Sequence, residues 1–226
     1  MSRPKAFLSW SSGKDSAWTL HQLRRSGELD VVGLLTSVNQ THERVAMHAV
    51  RRKLLEQQAA AAGLALREVF LPHPCSNEIY ERVMGEALTE FAAAGVEVIA
   101  FGDLFLEDVR TYRERQLEGT GLRAEFPLWG QPTGELAEHM LAAGLKATVT
   151  CVDPKQVARE LAGRPWDRAL LDELPEGVDP CGENGEFHTF VSDGPMFSRP
   201  VSVQSGEIVE RGGFVFADLV PVEDPL

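Results

Sequence analysis

The sequence predicts an α/β protein: a doubly wound parallel sheet with a smaller C-terminal α+β lobe. Through residue 104, short apolar runs alternate with segments of helical periodicity. The run Val31-Val32-Gly33-Leu34-Leu35-Thr36-Ser37-Val38 is apolar almost throughout, as in parallel strands buried on both faces. Beyond residue 180 the pattern changes to short β-rich runs. The expected division is a first unit over 1–130 and a second over 131–226.

Taken in order, residues 5–10 read as a buried first strand. Ser11-Ser12-Gly13-Lys14-Asp15-Ser16 is a polar loop, and a helix follows with apolar residues at 17, 20 and 23, stopped by Gly27. Residues 31–38 form the second strand and 39–43 a polar loop. A helix is expected from about 44 to 62, closed by Gly63. A third strand at 66–71 ends on Pro72-His73-Pro74, a helix covers 77–94, and a fourth strand covers 96–104. Charged helix 107–118 leads to an extended stretch at 122–126 and a helix ending near Ala143. An apolar strand at 147–152 precedes an irregular region, 154–180, with a short helix near 166–173. Short β runs follow at 187–191, 201–203, 208–209 and 214–219, with Ser205-Gly206 read as a hairpin turn.

The loop at 11–16 lies where ligands bind such sheets, beyond the carboxyl end of a strand. A loop entering a helix aims backbone N–H groups and the positive end of the helix dipole at one point. Gly13 permits close approach of an anion, Lys14 is read as a mobile cation, and Ser11, Ser12 and Ser16 add hydroxyls. Asp15 is a candidate to hold a metal or orient the loop. The expected guest is a polyphosphate. The loop is not a Walker A motif, because Leu8 and Asp15 stand where that pattern needs glycine and Ser or Thr. The 36–43 loop and Gly102-Asp103 lie at equivalent strand ends and are expected to meet the same nucleotide.

A second motif is Asp179-Pro180-Cys181-Gly182-Glu183-Asn184-Gly185-Glu186-Phe187-His188-Thr189-Phe190. Glutamate and histidine are common proton carriers. Strand alternation puts Glu186 and His188 on one face, which favours a site over a solvated edge.

Whole-chain properties set bounds. The 226 residues carry 22 Lys and Arg against 34 Asp and Glu, a formal charge of −12, which argues against a nucleic-acid footprint. Arg110, Arg113 and Arg115 form a local basic cluster. The three cysteines are far apart with no CxxC pair, so no zinc or redox motif is readable, and a reducing cytoplasm is expected. No apolar run is long enough to span a membrane.

The loop at 11–16 resembles the PP-loop of ATP pyrophosphatases, Ser-Gly-Gly-x-Asp-Ser, with Ser12 in place of a glycine. The PP-loop, the segment Gly102-Asp103…Tyr112-Arg113-x-Arg115…Pro127-Leu128-Trp129 and the run from Gly182 to Phe197 together resemble the diphthine–ammonia ligase family. The likeness covers residues 6 to about 197. It implies a HUP-like, PP-loop ATPase fold. It also implies a reaction in which a carboxylate attacks the α phosphate of Mg-ATP, pyrophosphate leaves, and ammonia displaces AMP to give an amide. Founding members read Glu-Gly-Gly-Glu-x-Glu where this chain has Glu183-Asn184-Gly185-Glu186-Phe187-His188. That departure is similar to a bacterial branch proposed to act in cobalamin salvage, which implies a corrinoid carboxylate as acceptor, with diphthine on an elongation factor as the alternative.

The roles implied are as follows. Ser11, Ser12, Gly13, Lys14 and Ser16 bind the ATP phosphates. Asp15 and Asp103 hold Mg²⁺. Thr36, Met47 and Gly102 contact the nucleotide. Glu183, Glu186 and His188 handle acceptor and ammonia, with Asn184 and Gly185 beside them. Tyr112, Arg113 and Arg115 bind substrate, against the plainer reading of the two arginines as ion pairs with Glu114 or Glu118. The implied partners are ammonia and a small or protein-borne carboxylate, with a homo-oligomer admitted and neither nucleic acid nor membrane involved. No glutaminase segment is expected. A sulfur-transfer role for Cys181 is disfavoured without a paired cysteine. The rival function class is an ATP-binding sensor without chemistry.

Overall fold

The computed structural model describes residues 2–41, 44–45 and 50–222. Its first half is a six-stranded sheet: β1 (Lys5–Ser9), β2 (Asp30–Asn39), β3 (Arg44–Val45), β4 (Ala65–Leu71), β5 (Val98–Ala100) and β6 (Arg123–Glu125). β4, β2, β1, β5 and β6 lie side by side and parallel. β3 pairs antiparallel with the far end of β2. Helices α1 (Lys14–Ser26), α2 (Arg52–Ala62), α3 (Asn77–Ala93) and α4 (Glu107–Leu117) connect the strands. The expected doubly wound sheet is therefore present. Its strand order reverses between β1 and β5, and at that switch point the loop after β1 has room for a ligand.

The faces follow strand alternation. Ala6, Leu8, Leu34, Val98 and Ala100 point into one core with Ala17 and Leu20 of α1 and Leu54 and Leu55 of α2. Leu35 and Ile99 point into the other, with Leu88 and Phe91 of α3 and Leu117 of α4. Phe7 stacks on Phe91 at a centroid distance of 4.3 Å.

The second half holds α5 (Thr133–Ala142), β7 (Lys146–Val152), a 3₁₀ turn (Arg159–Leu161), β8 (Pro165–Trp166), α6 (Arg168–Glu173), β9 (Phe187–Asp193), β10 (Val203–Arg211) and β11 (Phe214–Pro221). β7 is central to this antiparallel sheet, pairing with β9, β8 and β11. The first core does not stop at this half. It continues through Leu136, Met140, Val149, Phe190 and Val215.

Three local expectations are corrected. α1 starts at Lys14, not Ala17, so Lys14, Asp15 and Ser16 form its first turn. α2 starts only at Arg52, because Arg44–Val45 pairs with β2 instead. The hairpin turn lies at Gly212-Gly213, where φ is +61° and +85°, values that suit two adjacent glycines. Ser205 lies within β10, where the register with β11 shifts. Among the described residues no helix is long and apolar enough to cross a membrane.

One buried side chain ties the halves together. Gln58 of α2 accepts from Trp10 Nε1 (2.9 Å) and donates to the carbonyls of Ser12 (3.0 Å) and Val191 (2.6 Å). We expect Gln58→Leu, which keeps the volume but strands these groups, to cost roughly 2–4 kcal/mol. Chemical denaturation checks this, and an unchanged midpoint would show that the three bonds are dispensable.

Candidate active site

The loop after β1 turns sharply. Ser12 has φ of +71° and is the one non-glycine with positive φ among the described residues. An L-residue there costs about 1–2 kcal/mol, and Ser12 Oγ is buried with no hydrogen-bond partner. The conformation is held from outside: the Ser12 carbonyl also accepts from Val191 N at 3.0 Å. The loop then closes on itself. Gly13 N donates to Ser11 Oγ (3.3 Å), Ser11 and Ser16 hydroxyls meet at 3.2 Å, and Ser16 Oγ donates to Gly13 O (3.0 Å).

The loop's N–H groups are thus less open than the sequence suggests. Lys14 N, at the start of α1, donates to Thr189 Oγ1 of β9 at 3.1 Å. Thr189 is buried and lines the site, a residue that sequence reasoning passed over although it stands inside the second motif. Only the topology reveals its position, because the pairing of β9 with β7 carries it 175 positions along the chain to the N-terminus of α1.

Lys14 is not a mobile cation. Its side chain is 2% exposed. Nζ donates to Asp15 Oδ2 (2.9 Å) and to the carbonyl of Cys181, and lies 5.7 Å from the ring centres of Trp166 and Phe187. Burial pulls its pKa down, but Asp15, Cys181 and Glu183 together outweigh this, so the pKa sits above the ordinary lysine value. The other oxygen of Asp15 is buried without a partner.

Two adjoining cavities open here. The smaller, about 200 Å³, lies between the loop and residues 181–189, and its wall includes Asp15, Asp103, Glu183 and His188. The larger, about 400 Å³, runs past the ends of β1, β2 and β5 toward α3 and α4, with Thr36, Tyr80, Phe101 and Tyr112 on its wall. Gly102 joins the smaller wall, and a Cβ there would come within 3.0 Å of the Asp15 and Ser16 backbone. Thr36 Oγ1 donates to Trp10 O at 2.7 Å. Arg115 lines neither cavity but a cleft of about 280 Å³ between α3 and α4, which shares Met84, Leu88, Tyr112 and Gln116 with the larger cavity. Met47 lies outside the described residues.

The second motif divides in two. Glu183 reaches the smaller cavity and accepts from Leu104 N at 2.7 Å. Burial, with the charges of Asp15 and Asp103 adding to it, pushes its pKa to about 7. Burial, helped by Lys14, pushes His188 down to about 4, so its imidazole is neutral at neutral pH. The expected shared face for Glu186 and His188 is not formed. Glu186 precedes β9, is 2% exposed, and accepts from Asp179 N and Asn184 Nδ2, both at 3.0 Å. Asp179 in turn accepts from Cys181 N (2.8 Å), Glu183 N (3.3 Å) and Thr133 Oγ1 (2.6 Å). Glu186, Asn184 and Gly185 therefore shape the turn and do not line the cavity. Burial raises the Cys181 thiol far above its ordinary range, leaving a packing residue rather than a nucleophile. Among the described residues no three His, Cys, Asp or Glu side chains could hold a metal by themselves.

Comparison with known proteins bears on this arrangement. Residues 4–124 match the family described as diphthamide synthase N-terminal domain, and residues 132–218 the diphthamide synthase C-terminal domain. The chain is 25% identical over 235 residues to the diphthine–ammonia ligase of Bos taurus, covering 92% of this chain and 85% of that protein. The Homo sapiens protein of the same name gives the same identity and coverage. That of Danio rerio is 32% identical over 98 residues, 40% of this chain and 37% of that one.

Two outcomes follow from the geometry. Ser12→Gly relieves the left-handed strain and removes the unpartnered hydroxyl, so a stabilisation of up to about 1 kcal/mol is expected after glycine's entropy cost; a lower melting temperature would contradict it. The pH dependence has two opposed parts. From pH 4.5 to about 7 the folded state keeps a proton on Glu183 that the unfolded chain has lost, so stability falls as pH rises. From about 4 to 6.5 the unfolded chain holds a proton on His188 that the folded state lacks, so stability rises with pH. Denaturation across this range should show Glu183→Gln steepening the rise and His188→Asn flattening it.

Proposed function

The chain belongs to the diphthamide synthase family, and from that premise we propose that it is an ATP-dependent ligase that joins ammonia to a carboxylate. One observation carries the reading: a loop suited to polyphosphate and a Glu- and His-bearing loop from the other half face each other across one small cavity. The larger cavity suits the nucleoside. The two units 1–130 and 131–226 then divide the work, the first holding ATP and the second closing over the phosphates and meeting the acceptor.

The smaller cavity sets three carboxylates, Asp15, Asp103 and Glu183, against the cations Lys14 and Arg113. A polyphosphate is poorly matched to that balance alone. Mg²⁺ corrects it, and Mg²⁺ prefers one or two carboxylates plus phosphate oxygens. The unpartnered buried oxygen of Asp15 fits such a ligand, with Asp103 as the second. Bound there, the ion would supply charge neutralisation for the departing pyrophosphate. The hydroxyls of Ser11, Ser16 and Thr189 lie within reach of the same phosphates, and Lys14 contributes the field of its charge while holding the Cys181 carbonyl.

In the reaction, an acceptor carboxylate oxygen bonds to the α phosphorus. The bond to the β-phosphate oxygen breaks, and its electron pair leaves on pyrophosphate. Ammonia nitrogen then attacks the acyl carbon, the acyl–oxygen bond breaks, and AMP takes the electron pair. The nitrogen sheds a proton, for which Glu183, titrating near neutrality, is the acceptor. His188, neutral and beside the cavity, contributes a hydrogen-bonding wall rather than an anion. That favours a free, non-protein acceptor such as a corrinoid carboxylate over diphthine on an elongation factor.

The test is pyrophosphate and AMP release from Mg-ATP and ammonium across a panel of corrinoid acids and a diphthine-bearing elongation factor. We expect release that depends on one acceptor and on ammonium. Lys14→Met should lower it on the order of 10²–10³-fold. Tight ATP binding without turnover over the whole panel would favour a nucleotide sensor instead.

A further inference from the structure

The two cavities share part of their wall, formed by Ser9, Ser11, Phe101 and Arg113. Arg113 is the one lysine or arginine in that shared set. If the nucleoside fills the larger cavity and the pyrophosphate group the smaller, the α phosphorus has to lie at this junction, because it is the atom that joins them. We propose that Arg113 is a catalytic residue that binds the α-phosphoryl group and stabilises the charge that builds on its non-bridging oxygens. The proposal rests on the ligase reading above.

The side chain is prepared for this. The guanidinium centre lies over the Phe101 ring, 5.2 Å from its centre. Its buried Nε is ion-paired with Asp103 Oδ2 at 3.6 Å, too long for a hydrogen bond. A guanidinium has five N–H donors in a rigid fork suited to phosphate oxygens. An ion on Asp103 would loosen that carboxylate's hold and free the fork for the nucleotide.

The neighbouring arginines are not equivalent. The Arg110 guanidinium lies over Phe126 and Trp129, pairs with Glu114, and lines neither cavity. Arg115 lines only the cleft between α3 and α4.

During adenylation the acceptor oxygen adds to phosphorus before the bond to pyrophosphate has fully broken, so negative charge peaks on the two non-bridging α oxygens. A fixed cation there is stronger in the transition state than in bound ATP.

Binding of adenosine, AMP and ATP to the full chain, read by calorimetry, isolates the contact. Wild type should bind AMP and ATP. Arg113→Ala should leave adenosine affinity within about twofold, weaken AMP and ATP each by about tenfold or more, and lower pyrophosphate release on the order of 10²-fold. Arg113→Gln, which keeps the packing of the stem, repeats the comparison if the alanine variant does not fold. Unchanged AMP affinity in the variants, or adenosine weakened as much as AMP, would overturn the assignment and leave the ligase reading standing. A wild type that binds neither AMP nor ATP would overturn the ligase reading itself.

Discussion

The site depends on one buried ammonium. Lys14 sits at the first position of α1, so its backbone N–H and its side chain leave the same residue in two directions, and both end on the other half of the molecule. A charge this deeply placed costs several kcal/mol of solvation unless it is paired and its donors are used. Asp15 supplies the pairing and the Cys181 carbonyl a second acceptor, with two aromatic rings nearby. Holding the loop after β1 in shape and holding the opposite wall in place are therefore one interaction. The burial that makes it expensive also keeps water from competing for it.

The opposite wall follows the same logic with the signs reversed. Asp179 and Glu186 are acidic residues in a motif that reads as catalytic, yet Asp179 Oδ1 and Glu186 Oε1 accept from N–H groups of the loop they belong to. They act as an internal scaffold, and the benefit falls on Glu183, whose own N–H is tied to Asp179 while its carboxylate reaches the cavity. Of three carboxylates within eight residues, two build the turn and one faces the solvent-filled space.

Much of the fold was legible because strand and helix periods differ and the first half of the chain alternates them cleanly. The doubly wound sheet followed from that alone, as did the strand ends where the two cavities open. Boundaries failed where competing pairings decide them: Arg44–Val45 falls in a stretch read as helix but pairs with β2, and the turn between β10 and β11 settled on the two adjacent glycines rather than on Ser205-Gly206. Within the site, residue types announced themselves but directions did not. Nothing in the linear order says that Glu186 turns inward, that Thr189 meets the start of α1, or that Arg113 and not Arg115 stands between the two cavities, since each depends on contacts made across the chain.

The uninterrupted core bears on modularity. The family is recognised in two pieces, 4–124 and 132–218, which invites a picture of separable modules that recombination could shuffle. The apolar interior runs from Leu8 and Leu34 of one sheet to Phe190 and Val215 of the other as one cluster. Each piece alone would leave a broad oily face in water, and the loop would lose the backbone partners that hold Ser12 in its left-handed turn. A breakpoint near residue 130 therefore separates names rather than structures, because one apolar core spans it.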